Sequence, residues 1–215
     1  MRPAYDDNVF INCPFDEAYR PMFRALVFTV HACGMTARSA LEVDNGAEVR
    51  IEKITRIIGQ CRHSIHDISH TDADAASGLP RMNMPFELGL FLGAKRYGGP
   101  RHQSKTCIIF DRERYRYQQF LSDIAGQDIR AHRNDPAELI RSVRNALATM
   151  RPARLPSGQL IREQYEAFLL EVADVCAEMQ LDPEDLGHRD LAEVIIAWLE
   201  RNPGHPRSIS GAADE

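Results

Sequence analysis

The segment NMPFELGLFLGAKRYG, residues 83 to 98, has apolar residues at helical spacing, yet its fifth residue is a carboxylate, Glu87, set among Met84, Phe86 and Leu88. An acid near a helix start complements the backbone dipole, but a simple surface cap has no need of such apolar neighbours. Further acids stand where apolar runs end: Asp67 in HSIHDIS, Asp72 in the polar loop that follows, Glu42 at the end of MTARSALEV and Asp44 just after it. Crowded carboxylates shift one another's pKa, and a cluster that separates a proton acceptor from a proton donor is what acid/base chemistry requires. Each acid also has an ordinary role open to it. Asp67 could cap a turn and Asp72 could be solvated. Asp16, beside Pro14, could cap a helix start. Arg50, close to Lys53 and Arg56, could be a solvated charge or a pyrophosphate contact.

Other constellations are weaker. Cys61, His63, His66 and His70 have the look of a ligand set, but strand alternation sends His63 and His66 to opposite faces, so no metal site is expected. The sequence contains neither a G-x-x-x-x-G-K-[ST] loop nor a G-x-G-x-x-G turn, and no G-x-S-x-G elbow, which disfavours P-loop, dinucleotide-fingerprint and serine-hydrolase chemistry. In DRERYRY acids alternate with the arginines, as at a helix start rather than on an RNA-binding platform.

The elements that must position these residues alternate in type. NVFINCP (8 to 14) reads as a buried strand, and the run to Gly34 places Tyr19, Met22, Phe23, Leu26, Val27 and Val30 on one helical face. MTARSALEV reads as a second strand, VRIEKITRIIGQC as a helix, HSIHDIS as a third strand, 83 to 98 as a helix and TCIIFD as a fourth strand. YRYQQFLSDIAG then predicts a short helix, QDIRAH a weak fifth strand, and PAELIRSVRNALATM a helix capped by Asp135 with Pro136 first. This order predicts an α/β, flavodoxin-like three-layer sandwich: a five-stranded parallel sheet of order 2-1-3-4-5 whose ligands bind at the carboxyl ends of the strands. Asn12, Cys13, Pro14, Phe15, Glu42, Arg50, Asp67, Asp72, Asn83 and Glu87 then gather at one crest. The α/β domain is expected over 1–150, with RPARLPSG marking its end, a helical C-terminal extension over 151–202 and a flexible tail over 203–215. A stripe from Ile161 to Met179 in the extension suits either packing on the sheet domain or a homo-oligomer or protein-partner contact.

With 215 residues, 44% hydrophobic and 27% charged, the chain can bury one sizeable core. A net charge of -5 argues against a nucleic-acid surface. No run approaches the roughly 20 apolar residues of a membrane span, and five cysteines without framework spacing read as reduced. A cytoplasmic protein is expected.

VFINCPFD, a strand running into a small-Pro-Phe turn, and FELGLFLGA, a helix carrying Glu followed by an apolar residue and Gly, resemble the nucleoside 2-deoxyribosyltransferases. The same layout is found in Toll/interleukin-1 receptor (TIR)-like domains, whose catalytic members cleave the nicotinamide glycosidic bond of NAD. The resemblance spans roughly residues 7 to 150. It implies that Glu87 corresponds to the glutamate that attacks or stabilises the anomeric carbon, and that Asp67 and Asp72 stand where such enzymes keep acids for a ribose or a base. Where the transferases carry Asp, Gly and Thr before that glutamate, this chain reads RMNMPFE, with Arg81, Asn83 and Met84 in those positions. Their Asp manages the base. Nicotinamide leaves as a neutral base from a cationic nucleoside and needs no general acid, so the resemblance favours NAD as substrate, with no cofactor. It also implies a setting such as bacterial anti-phage defence or nucleotide signalling. The alternative is a non-catalytic nucleotide-sensing or interaction module of the same fold. A phosphorelay receiver with Asp67 as phosphoacceptor is disfavoured: Asn12, Cys13 and Pro14 replace its acidic pair, and QDIRAH has no lysine.

Overall fold

In a computed structural model that describes residues 5–73, 78–150 and 153–203, five strands form one parallel sheet of order β2-β1-β3-β4-β5. They are β1 (Asn8–Asn12), β2 (Thr36–Arg38), β3 (His63–Asp67), β4 (Thr106–Asp111) and β5 (Ile129–Ala131). The helices are α1 (Arg20–Ala32), α2 (Arg50–Gln60), α3 (Asn83–Tyr97), the single turn α4 (Pro100–Gln103), α5 (Pro136–Met150), α6 (Gly158–Glu178) and α7 (His188–Arg201). This is the expected flavodoxin-like arrangement. Pairing of Asn12 with His66 and of Asp67 with Phe110 brings the ends of β1, β3 and β4 level at the crest.

Side-chain alternation divides the core into two faces. Val9, Ile11, Ile65, Ile108 and Phe110 pack with α1 and α5, whereas Phe10 meets Ile54, Ile57, Ile58 and Phe91 of α2 and α3, and Ile109 meets Met84 and Leu88. The same parity carries the crest residues. His66 stacks edge-on to Phe10 and Phe91 on the α3 side, so its neighbour Asp67 turns to the α1 side.

Helices α6 and α7 continue the α1-side core. Phe28 of α1 meets Tyr165, Phe168 and Trp198 with ring centroids 5.3 to 5.9 Å apart. The stripe of Ile161, Tyr165, Phe168, Val172 and Val175 is buried within the chain itself. No helix among the described residues is long and apolar enough to cross a membrane.

Several boundaries differ from the sequence reading. The second strand is only Thr36–Arg38, because Arg38 turns back to pair with Glu42 and the chain leaves the sheet. The helix expected over YRYQQFLSDIAG is instead two 3-10 turns, Arg116–Gln119 and Ser122–Ile124. Tyr115 enters the first of them in the left-handed region, at φ 64°, which a continuous α-helix does not accommodate. The tail past Pro203, and Arg151 and Pro152 of the expected boundary, lie outside the described residues.

Candidate functional site

Helix α3 starts at the crest because Asn12 anchors it. The Asn12 side-chain amide donates to the Met84 carbonyl and to His66 Nδ1, each at 2.9 Å. Burial, helped by the charge of Lys105, pushes the His66 imidazole down to about 3, so the ring is neutral and available as that acceptor. The far end of α3 is fixed by close approach: a Cβ on Gly98 would lie 2.4 Å from the Ala94 carbonyl oxygen.

Glu87 is the fifth residue of α3, beyond the first turn where the helix dipole acts most strongly. It is 6% exposed. No hydrogen bond to it occurs among the described residues, and its oxygens are not sealed from solvent. Burial pushes its pKa up to about 7, against the opposing charge of Arg50 at the start of α2. A carboxyl in this state exchanges a proton near neutrality.

Asp67 has the opposite surroundings. It is fully buried, and it accepts from the Tyr19 hydroxyl and from the Ser69 backbone N–H at 2.8 Å. His132 Nε2 lies 2.9 Å from its Oδ2, off the line of an ideal hydrogen bond. His132 Nδ1 accepts from the Asn134 backbone N–H at 2.9 Å, which leaves the ring proton on Nε2, facing Asp67. Burial would raise the Asp67 pKa, but His132, Ser69 and Tyr19 outweigh it and hold the carboxyl below its ordinary value. Tyr19, by contrast, is pushed well above its ordinary value by burial and then by the charge of Asp67. Between the two acids lies Cys13, 1% exposed. Burial, then Asp67, Glu87 and Asp16, raise its thiol well above the ordinary range, so it is an inert wall rather than a nucleophile.

On the α1 side the crest opens into a cavity of about 380 Å³ lined by Asp16, Glu17, Ala18, His70, Asp72, Arg81 and Arg112. Asp72 is clamped by Arg112 and by Arg116, the latter at 3.3 Å. Arg116 also pairs with buried Asp111 at 2.8 Å and donates to the Ile68 and Ser69 carbonyls, so it fixes the start of the loop after β3. An adjoining slot of about 170 Å³ shares Asp16 and Glu17 and is walled by Phe15, Phe23, Leu41 and His188. A separate cavity of about 430 Å³ lies between the Arg114–Gln118 turn and β5, on the edge of the sheet away from the paired acids.

The expected site residues thus fall into groups. Glu87 feels the charge of Arg50 without an ion pair to it among the described residues, and Pro14, Phe15 and Asp72 line the crest cavities. Asn83, the exposed first residue of α3, stands at the crest rim. Asn12, Cys13 and Asp67 are inside it, shaping the site from below. Glu42 accepts from Arg38 Nε and Nη2 at 2.6 and 2.5 Å. Tyr19, His132 and Arg116 were not anticipated. Tyr19 has the spacing of a core residue, and Arg116 sits in a charge-alternating run. His132 alone had a signal, since it ends a predicted strand and therefore belongs at the crest. Among the described residues no group of three or more His, Cys, Asp or Glu is placed to hold a metal ion.

No family model matches the sequence, and comparison with curated proteins finds no match.

Proposed function

We propose that the chain acts on the N-glycosidic bond of a nucleotide or nucleoside, with NAD the preferred substrate. The observation that carries this reading is Glu87: a buried carboxyl without a hydrogen-bond partner among the described residues, opening at the switch point between β1 and β3. A carboxylate there needs a cationic partner, and an oxocarbenium-like ribosyl centre supplies one as the glycosidic bond breaks. With its pKa near 7, Glu87 is ionised in a large fraction of molecules at neutral pH, and a cationic pyridinium nucleoside draws it further toward that form. The slot beside Phe15 and Phe23 suits a planar base, and the acids and arginines of the 380 Å³ cavity suit ribose hydroxyls; Glu87 lines neither cavity and stands across Cys13 from them. Asp72 is the crest acid able to orient a hydroxyl. Asp67 supports the site from beneath through Tyr19.

The test is chromatography of NAD and a panel of ribo- and deoxyribonucleosides after incubation with wild type and with Glu87→Gln, over a wide range of protein concentration. Release of nicotinamide or free base by wild type, lost in Glu87→Gln, is the expected result. No release at any concentration, with both proteins folded, would replace this reading with that of a non-catalytic nucleotide-sensing module.

A further inference from the structure

Outside the pair formed by Glu87 and Asp67, one arrangement on the crest has the geometry of a general base. His70 Nδ1 lies 3.0 Å from Asp16 Oδ2. That carboxylate is not free to turn away, because its Oδ1 accepts from the Tyr19 backbone N–H at 3.1 Å and its Oδ2 also meets Arg81 at 3.5 Å. The His70 ring is further held edge-on to Tyr19, with centroids 5.7 Å apart, and the Tyr19 hydroxyl is in turn held by Asp67. A carboxylate on Nδ1 puts the ring proton there and leaves Nε2 as the basic nitrogen. Nε2 has no partner among the described residues. Both side chains are about one-third exposed (31% each) and both line the 380 Å³ cavity.

The surroundings of this pair define what it would act on. The nearby charges offset one another, with Asp16 against Arg81 and Asp72 against Arg112. The wall therefore both accepts and donates hydrogen bonds, which fits neutral hydroxyls better than a bare phosphate. Asp16, from the turn before α1, and Glu87, from α3, both act on the buried Cys13 thiol.

We propose that His70 and Asp16 form a base dyad that takes the proton from the water attacking the anomeric carbon of a bound ribosyl group. The proposal rests on the glycosidic reading above. In the step, the C–N bond to the departing base breaks and its electron pair leaves with the base. The water oxygen forms the new bond to the anomeric carbon, and the water proton passes to His70 Nε2 and then to solvent. His70 is the catalytic residue and Asp16 the positioning residue.

The experiment compares NAD turnover by wild type, His70→Gln, Asp16→Asn and Glu87→Gln, with and without added azide, and records the melting of each protein. His70→Gln should lose on the order of 10²-fold in hydrolytic kcat with little change in KM. Azide is an anionic nucleophile that has no proton to give up, so it should restore base release to His70→Gln and form the ribosyl azide, but not restore Glu87→Gln. Asp16→Asn, whose amide oxygen still accepts from Tyr19 N–H, should show a smaller, azide-rescued loss of about tenfold. His70→Gln turning over like wild type would overturn the dyad alone, as would a loss in a folded variant that azide does not restore. A wild type that releases no base overturns the glycosidic reading, and the dyad falls with it.

Discussion

Asp67 and Glu87 stand at the same end of the same sheet, yet their surroundings hold them in opposite states. On the α1 side Asp67 has a hydroxyl, a backbone N–H and an imidazole N–H directed at it, and stays ionised although wholly buried. On the α3 side Glu87 has apolar neighbours and one distant guanidinium, and is pushed toward the neutral form. Burial alone therefore does not decide a carboxyl's state. The supply of donors does. A fully satisfied acid is a framework element, whereas an acid left short of donors keeps its capacity to meet a substrate.

The strongest way to break this contrast is to remove the satisfied acid. Asp67→Ala leaves His132 and Tyr19 facing an empty site and should cost roughly 3–5 kcal/mol in urea unfolding at pH 7. Because its folded pKa is held low, Asp67 contributes stability above the ordinary aspartate value of about 3.9. The advantage of wild type over Asp67→Asn should therefore persist at neutral pH and vanish as pH falls through the lowered folded pKa.

Glu87 should show the opposite sign. Its raised pKa means that the folded state holds a proton which the unfolded state releases, so it penalises folding increasingly as pH rises from its ordinary value toward about 7. Glu87→Gln should be more stable than wild type by roughly 1–3 kcal/mol at pH 8 and no different at pH 4, as read from melting temperatures at the two pH values. A variant that gains stability while losing base release would have the signature of a group retained for chemistry rather than for folding.

The smallest effect sharpens the comparison at its one point of electrostatic contact. Arg50 lowers the Glu87 pKa, so turnover should rise with pH along a limb near 7. In Arg50→Met that limb should move a few tenths of a unit upward.

Much of this architecture was legible in the sequence, because parity and periodicity are direct consequences of backbone geometry. TCIIFD and PAELIRSVRNALATM occupy the spans their patterns predict, and the alternation of strand and helix gave the strand order. Glu87 was conspicuous because an acid interrupts an apolar face. What stayed hidden depends on contacts distant in sequence. Asp67 reads as a crest acid or a turn cap until Tyr19, 48 residues away in the chain, is seen to close over it. Within the 3-10 turns after β4 the Arg116 side chain reaches inward to the Ile68 and Ser69 carbonyls, and no local propensity records that attachment.

The packing of Phe28 against Tyr165, Phe168 and Trp198 has a practical consequence for anyone moving this module into another protein. A chain cut after Met150 would not be a complete folding unit, because the helix that carries Tyr19 at its entrance would lose the aromatic wall behind it. Each such side chain fully buried contributes about 1.5–3 kcal/mol. Fusions and libraries should therefore treat α6 and α7 as part of the cassette and place their junctions beyond Arg201.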